Sequence, residues 1–261
     1  MAKTHLAVLG SPIEHSKSPL IHAAAYQALG LDWDYGRYRV EAGELEGFLN
    51  LRHSLWRGLS LTMPLKEAGF QLSVPSCPVA RATGIVNTLL HTEAGWEGYN
   101  TDSYGIQQAV RMHGENIFDH IAVLGSGATA KSALHAAREI APNAKIEIFA
   151  RRSVEIDGLS SRPLESFYES EVQGLTISTL PGSVAHPELI VSNDAVILDV
   201  AYSPWPSKLS AAWSAGNRIS GIEMLLWQAL IQVRIFYHGD GSVPLPKELE
   251  VFEAMRASVR A

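Results

Sequence analysis

The sequence predicts an α/β fold of two domains, and three features lead to that prediction. Segments with the apolar pattern of β-strands alternate with helical segments along the first third of the chain. A separate unit begins near Ile121, where an apolar strand, a glycine-rich loop and a helix follow one another. The chain has 261 residues, 46% hydrophobic and 18% charged, which suffices for two globular domains.

Strands in the first third are indicated by short apolar segments bounded by turn residues. The sequence HTEAG between the last two segments suits the turn of a hairpin. The expected strands are residues 6–9, 35–40 and 58–63, and the expected hairpin pairs residues 86–90 with 96–99.

The first predicted helix runs from Ser18 to Gly30. Ser18 can cap the helix through its hydroxyl, Pro19 suits the first turn, and Gly30 can adopt the left-handed conformation that ends helices. A second helix is expected over residues 43–52.

The rest of the chain predicts a second α/β unit followed by two helices. A helix over residues 131–140 follows the glycine-rich loop, a largely apolar and therefore buried helix begins at Gly221, and an amphipathic helix begins near Pro246. The expected strands are residues 121–124, 145–149, 174–178 and 195–200. We expect one domain from residues 1–102 plus 221–261, and the other from residues 103–220.

The overall composition excludes several classes of function. A net charge of −6 provides no basic surface typical of nucleic-acid binding, so no nucleic-acid partner is expected. The single cysteine, Cys77, cannot form a disulfide within the chain, which fits a reducing compartment. The N-terminus lacks the form of a signal peptide, and no apolar stretch is long enough to cross a bilayer. We therefore expect a cytoplasmic protein with no membrane partner.

The segment AVLGSGATAKSALHA predicts a dinucleotide-binding loop. Gly125, Gly127 and Ala130 match the pattern G-x-G-x-x-G/A between a strand and a helix, the context in which that pattern is informative. Gly125 permits a tight turn, Gly127 lets the backbone approach a pyrophosphate, and Ala130 keeps helix and strand close. The expected cofactor contacts also include the intervening residues Ser126, Ala128 and Thr129. The alternative is an ordinary glycine turn.

The following strand ends in two arginines, Arg151 and Arg152, which favour NADP over NAD. NAD-specific folds usually place an acidic residue at this position to bind the ribose 2′-hydroxyl, whereas arginines suit a 2′-phosphate. Glu147 occurs too early in the strand for the acidic role. A solvated basic strand end is the alternative interpretation.

Lys66 and Asp102 are candidates for proton transfer. Oxidation of an alcohol by a nicotinamide cofactor releases a proton, which a suitably placed lysine can accept when burial lowers its pKa. Lys66 follows the buried strand and Pro64, and Asp102 follows the hairpin at a predicted helix start. From their positions alone, Lys66 could be a solvated loop charge and Asp102 a helix N-cap.

The chain resembles the shikimate dehydrogenase family over nearly its whole length. Seven motifs occur in the family's order, and the ordered group is far more specific than any one of them. They are SPIEHSKSP (11–19), LTMPLK (61–66), GIVNT (84–88), GYNTD (98–102), LGSGATA (124–130), DVAYSP (199–204) and GIEMLLWQA (221–229).

The resemblance implies roles for individual residues. Lys66 and Asp102 would form the catalytic proton-transfer pair. Substrate would be bound by Ser16, Ser18, Thr62, Asn87, Tyr202 and Gln228, with Asp102 also contacting a ring hydroxyl. The nicotinamide would be lined by Val200, Gly221 and Met224. Simpler roles are open for some of these: helix capping for Ser18, a partly exposed polar position for Gln228, an ordinary strand-end aromatic for Tyr202, and packing for the nicotinamide set.

The implied activity is reversible reduction of 3-dehydroshikimate to shikimate with NADPH, in aromatic amino-acid biosynthesis. The first domain would bind this small-molecule substrate and the second would be a Rossmann-like NADP-binding domain. No metal ligands are expected, because the ten histidines show no ligand-like spacing. The chain would act as a monomer or homodimer.

Departures from the family pattern affect details rather than the reacting groups. Ser60 replaces a common asparagine, Ile85 places a larger side chain where the usual GAVNT motif has alanine, and Ala150 replaces an asparagine before the arginines.

Three rival hypotheses are an NAD-preferring quinate/shikimate dehydrogenase, a non-catalytic shikimate-binding protein and a generic NADP-binding redox module.

Overall fold

The structure is a computed structural model that describes residues 4–51, 56–114 and 117–260. Two compact units are present, one formed by Met1–Thr101 with Gln228–Ala261 and the other by Asp102–Trp227. Both combine helices with a sheet, so the predicted α/β fold is confirmed. The units divide at 101/102 and at 227/228, whereas the sequence places the domain boundaries at 102/103 and 220/221.

The first unit is built on a mixed sheet. Among its described residues, strands lie in the order β2-β1-β3-β5-β6-β4, with β1 parallel to both of its neighbours and β5 antiparallel to β3 and β6. These strands are β1 (Thr4–Gly10), β2 (Trp33–Arg39), β3 (Trp56–Leu61), β4 (Val74–Pro75), β5 (Thr88–Thr92) and β6 (Gly95–Tyr99).

Helices of the first unit pack apolar side chains against this sheet. Leu9 and Leu59 from the strands and Leu45 from a helix belong to one core cluster and are at most 1% exposed. The helices within residues 4–101 are α1 (Ser18–Ala28), α2 (Leu45–Asn50), α3 (Lys66–Gln71) and α4 (Pro78–Thr83), with a 3-10 turn at Ala42–Glu44.

The predicted cap of α1 is wrong in its detail. The N-cap residue is Lys17, and Ser18 is already the first helical residue. The N-cap side chain makes no capping hydrogen bond, and the Ser18 amide donates instead to Oγ of Ser16 at 3.3 Å. Gly30 follows the helix with φ +67°, the left-handed conformation expected at that end. The second predicted helix, 43–52, is instead the 3-10 turn followed by α2, and Arg52 lies outside the described residues.

The second unit contains an all-parallel sheet in the order β11-β8-β7-β12-β13-β14. With β7 counted first, this is the 3-2-1-4-5-6 strand order of dinucleotide-binding folds. The strands are β7 (His120–Leu124), β8 (Lys145–Ala150), β11 (Arg162–Pro163), β12 (Leu175–Ser178), β13 (Val196–Asp199) and β14 (Arg218–Ser220), and a two-stranded ribbon pairs β9 (Glu155–Ile156) with β10 (Leu159–Ser160).

Helices α5 and α6 pack together in the second unit, and their apolar side chains share a core cluster with the strands. The helices of this unit are α5 (Asp102–His113), α6 (Ala128–Ile140) and α7 (Leu164–Tyr168), with 3-10 turns at Ser210–Ala212 and Ala215–Asn217. Helix α8 (Gly221–His238) begins in the second unit and ends in the first, and α9 (Glu248–Ala257) belongs to the first. The apolar α8 is largely buried, as its composition predicts. None of the helices in the described part of the chain combines the length and hydropathy needed to span a bilayer.

His22 is a fully buried histidine in the first unit. Its ring stacks on Tyr35 with 4.0 Å between centroids, its Nδ1 lies 3.1 Å from the Tyr26 hydroxyl, and its Nε2 lies 3.2 Å from Oε1 of Gln232. Burial lowers the pKa of His22 to about 3, against the smaller opposing effect of the Gln232 hydrogen bond. The folded protein therefore holds this ring neutral over a pH range in which the unfolded chain protonates it.

Acidification should destabilise the protein through His22. Because the folded pKa is depressed, the unfolded state binds the extra proton, and the free energy of unfolding should fall by about 1.4 kcal/mol per pH unit below about 6.5. Urea unfolding between pH 7.5 and pH 5 measures this slope. His22→Gln should flatten it, whereas Ser73→Ala, which removes a hydrogen bond to Gly69 but no titratable group, should keep it. An unchanged slope in His22→Gln would contradict the assignment.

Candidate active site

The predicted substrate residues of the first unit gather at one edge of its sheet. Strands β1 and β3 are parallel, so their carboxyl ends lie at the same edge. Strand β5 runs antiparallel to β3 with Thr88 opposite Ser60, so β5 begins at that edge. Strand β6 ends there, because Tyr99 pairs with Thr88.

The turn after β3 is joined to the end of β1 by backbone hydrogen bonds. The amide of Thr62 donates to Leu9 O at 2.9 Å, and the amide of Ser11 donates to Met63 O at 2.9 Å. Gly10 is required at this junction, because a Cβ there would collide with Cγ2 of Thr62 and lie 2.8 Å from Met63 O. The start of the loop that leads to Ser16 and to the helix at Ser18 is therefore next to the turn that carries Thr62.

Lys66 is the first residue of α3 and is half-buried. Its carbonyl oxygen accepts the amide of Val86 at 3.0 Å, which holds the Lys66 backbone against the residue that precedes Asn87. The lysine thus stands at the same edge of the sheet, on a helix start connected to two strands.

Ser16 and Ser18 occupy the N-terminal end of α1. Ser16 is half-buried and Ser18 is 6% exposed. The first turn of an α-helix presents backbone N–H groups and a positive dipole end, an arrangement that favours anions. The two hydroxyls at this position can hold a carboxylate.

Asn87 and Gln228 meet through a compact set of hydrogen bonds. Asn87 Nδ2 donates to Oε1 of Gln228 at 3.3 Å and to Oγ1 of Thr101 at 3.0 Å. Asn87 Oδ1 accepts the Thr101 amide at 2.9 Å. Gln228 is 6% exposed, so its amide is buried and hydrogen-bonded rather than on an exposed helix face. Asp102, the first residue of α5, follows Thr101 directly and is 4% exposed.

Three residues of this arrangement were missed by the sequence analysis: Thr88, Thr101 and Gln232. Thr88 Oγ1 donates to Asn87 Oδ1 at 2.8 Å, and Gln232 Nε2 donates to Thr88 Oγ1 at 2.9 Å. A signal for Gln232 was available, because it lies four residues after Gln228 and so on the same face of an apolar helix.

The loop after β7 has the geometry of a phosphate-binding turn. Gly125 adopts φ +119°, and a Cβ there would collide with Oγ1 of Thr179. Gly127 is the N-cap of α6, with no atom within 4 Å of where its Cβ would be, so the backbone there is open to a ligand. Ala130 is fully buried between helix and sheet. Ser126 is exposed, and Ala128 and Thr129 are half-buried at the helix start.

This turn lies at the topological switch point of the parallel sheet, between the carboxyl ends of β7 and β12. Thr179 follows β12, and both its amide and its hydroxyl donate to Leu124 O, at 2.9 and 2.8 Å. Ligands of open α/β sheets bind at such a point. The residues present therefore fit a dinucleotide, and Gly125, Gly127 and the start of α6 would hold its pyrophosphate.

Arg151 and Arg152 leave the carboxyl end of β8 beside this turn and are exposed. The amide of Gly125 donates to Phe149 O at 2.9 Å, which joins the two segments. Both guanidinium groups are thus placed on the strand end where adenosine ribose is recognised in such folds.

Glu147, on the same strand, is engaged elsewhere. Its carboxylate accepts hydrogen bonds from His120 at 2.8 Å and Arg162 at 2.8 Å, and lies 3.0 Å from Lys145 Nζ. Burial raises the pKa of Glu147, but these partners outweigh it and lower the pKa to about 2. Glu147 is therefore a paired structural carboxylate.

The other predicted cofactor residues cluster where α8 begins. A Cβ at Gly221 would collide with the carbonyl of Val200, so only glycine lets the helix start this close to the end of β13. Met224 is 7% exposed and packs in a core cluster that includes Ala130. This packing agrees with the alternative interpretation of Met224 as a core residue.

Tyr202 is half-buried in the segment after β13. The buried Asp199 anchors that segment: its carboxylate accepts the Ala201 amide at 3.1 Å and the Ser207 hydroxyl. Burial raises the pKa of Asp199 above its ordinary value.

The predicted site residues are thus divided between the two units. The first unit holds Ser16, Ser18, Thr62, Lys66, Asn87 and Gln228, and the second holds Asp102, Tyr202 and the cofactor set. The pairing of Lys66 with Asp102 stays a prediction.

Comparison with known proteins decides the family. Residues 8–89 match the family model described as the shikimate dehydrogenase substrate binding domain. An NADP(+) shikimate dehydrogenase of Thermus thermophilus is 31% identical over 97% of this chain and 98% of its own. The chain belongs to the shikimate dehydrogenase family. A second relative in this family, from Methanococcoides burtonii, is 32% identical over 90% of this chain and 92% of its own.

Solved structures of the shikimate dehydrogenase family share the fold over nearly the full length. The Mycobacterium tuberculosis enzyme is 33% identical with a TM-score of 0.77, covering 98% of this chain and 99% of its own. A Thermus thermophilus enzyme, in complex with NADP(H) and shikimate, is 29% identical with a TM-score of 0.81 and the same coverage.

Proposed function

We propose that this chain is an NADP-dependent shikimate dehydrogenase, which reversibly reduces 3-dehydroshikimate to shikimate in aromatic amino-acid biosynthesis. The observation that carries the proposal is the gathering of Lys66, Thr62, Asn87 and Gln228 at one sheet edge, in a chain that matches NADP-dependent relatives from end to end. NADP supplies the hydride donor and acceptor when it is bound.

Substrate binding follows from the polarity of the site. Ser16 and Ser18 at the start of α1 hold the carboxylate, with Tyr202 as a further donor. Thr62, Asn87, Asp102 and Gln228 hydrogen-bond the ring hydroxyls. Such a site discriminates strongly against a ligand that lacks a hydroxyl, because its buried polar groups would then have no partner.

Proton transfer is assigned to Lys66 with Asp102. In the oxidation of shikimate, the hydroxyl proton at C3 passes to Lys66 while hydride leaves the same carbon. In the reverse direction Lys66 returns the proton to the carbonyl oxygen. Asp102 orients the ammonium group and the hydroxyl.

Cofactor choice is assigned to Arg151 and Arg152, which would pair with the 2′-phosphate of NADP through charge-assisted hydrogen bonds. Turn residues from Gly125 to Ala130 would hold the pyrophosphate. The nicotinamide end would lie against Val200, Gly221 and Met224.

Location and assembly are further parts of the proposal. We propose a cytoplasmic protein, supported by its single cysteine, and a monomer or homodimer. Fractionation of cells and light scattering on the purified chain test both, and an export-only location or a larger assembly would contradict them.

The assay that tests the function measures nicotinamide absorbance with shikimate and quinate, each paired with NADP and NAD. Shikimate with NADP should have the highest kcat/KM of the four pairs. A preference for quinate with NAD would favour the rival dehydrogenase, and tight shikimate binding without any absorbance change would favour a non-catalytic binding protein.

Removing both arginines should change cofactor preference. The double variant Arg151→Ala/Arg152→Ala should raise KM for NADP about tenfold or more, because two charge-assisted contacts are lost, and should leave KM for NAD nearly unchanged. Arg162→Ala serves as control, since this arginine pairs with Glu147, and its NADP/NAD ratio should equal that of the unmodified chain. An equal effect of the double variant on both cofactors would refute the assignment.

Lys66→Ala should lower kcat by about 10²- to 10⁴-fold, the usual contribution of acid–base catalysis, with KM for shikimate nearly intact. Lys247→Ala removes the same charge from a surface ion pair with Glu250 and should keep normal turnover. A large rise in KM with unchanged kcat in Lys66→Ala would mean that Lys66 only binds substrate.

A further inference from the structure

A buried hydrogen-bonded network continues from Asn87 into the core of the first unit. Each member is at most 9% exposed, so the network is shielded from water. We name it the Asn87 network, and its members are Asn87, Thr88, Thr101, Gln228, Gln232, Ser60, Tyr35, His22 and Tyr26.

A backbone carbonyl, that of Asn87, determines the orientation of the side-chain amide of Gln232. Its Nε2 lies 3.2 Å from Asn87 O, which can only accept, and 2.9 Å from Thr88 Oγ1. Its Oε1 consequently faces two donors, Ser60 Oγ at 2.9 Å and His22 Nε2 at 3.2 Å. All four hydrogen bonds of Gln232 go to protein groups.

The positions of the hydrogens on the two donors that face Gln232 Oε1, Ser60 and His22, follow from the hydrogen bonds that these residues make. The Tyr35 hydroxyl donates to Ser60 Oγ at 2.6 Å, so the single hydroxyl hydrogen of Ser60 is available for Gln232. The neutral ring of His22 has one donor and one acceptor nitrogen. Because Gln232 Oε1 can only accept, Nε2 is the donor, and Nδ1 therefore accepts from the Tyr26 hydroxyl at 3.1 Å.

The assignment of donors and acceptors extends from Gln232 through Thr88 to Asn87. Thr88 Oγ1 accepts from Gln232, so its one hydrogen is directed to Asn87 Oδ1 at 2.8 Å. That oxygen also accepts the Thr101 amide at 2.9 Å. Oδ1 is thus engaged by Thr88 and Thr101, and Nδ2 donates to Thr101 Oγ1 at 3.0 Å and to Gln228 Oε1 at 3.3 Å.

We infer that Gln232 is a positioning residue for Asn87, and that it fixes the orientation of the Asn87 side-chain amide, with Nδ2 toward Gln228, beside the proposed substrate site. This inference rests on the proposed function, in which Asn87 contacts a ring hydroxyl. Gln232 holds Asn87 at two points, its backbone oxygen directly and its side-chain oxygen through Thr88. At 1% exposure it acts through Asn87 and not on the substrate.

A double-mutant cycle tests the inference. Gln232→Met keeps the length of the side chain and removes its polar atoms, and it should lower kcat/KM for shikimate on the order of tenfold with KM for NADP unchanged. In an Asn87→Ala background the same substitution should change kcat/KM by less than about twofold, because the group that it positions is gone. An equal loss in both backgrounds, or no loss in either, overturns the inference.

Arg234→Met is the matched control on the same helix. It breaks the half-buried pair with Glu248 and should lower stability without changing kcat/KM. If Gln232→Met does not fold, Thr88→Val enters the same cycle, because it removes the hydroxyl that connects Gln232 to Asn87 Oδ1 while keeping the side-chain volume.

Urea unfolding of the same proteins separates this inference from the proposed function. Absence of shikimate turnover in the unmodified chain would refute the proposed function alone. The coupling between positions 232 and 87 in the free energy of unfolding would still be measured, and additive effects of the two substitutions would overturn the positioning role.

Discussion

The hydrogen bonds of Asn87 are the interaction on which the first unit depends. The backbone amide of Asn87 donates to Tyr99 O at 3.0 Å, and its backbone carbonyl accepts the amide of Leu61 at 2.8 Å. The backbone of Asn87 therefore joins the ends of β6 and β3. Its side chain joins the start of β5 to α8 through Gln228. Buried amides cost free energy unless every polar atom is paired, so this one residue ties three strands and a helix to a single geometry.

A different constraint organises the second unit, namely close backbone approach. Gly125 allows β7 to turn against Thr179, and Gly221 allows α8 to begin against the carbonyl of Val200. A side chain at either position would force apart segments that the parallel sheet brings together. The space that results at the carboxyl ends of the strands is where a dinucleotide binds in this strand order.

Much of this architecture was predictable because it depends on local patterns. The strand–glycine loop–helix segment around Gly125 has the spacing typical of dinucleotide-binding turns. Gly30 follows α1 in the left-handed conformation that glycine favours. The start of α1 was not predictable from Ser18, because the helix begins one residue earlier than a Ser18 cap requires: Lys17 is the N-cap, and the Ser18 amide donates to Ser16 Oγ.

The sequence by itself determined the fold class, the dinucleotide turn, the family and the identities of the candidate site residues, since periodicity, glycine positions and ordered motifs are local properties of the chain. Only the tertiary structure decided what lies behind Asn87. Ser60, His22 and Gln232 are separated by up to 210 positions along the chain, and hydrogen bonds between such residues depend on how β3, α1 and α8 pack. No local pattern encodes the direction in which a buried amide points, because its partners come from elements that meet only in the folded unit.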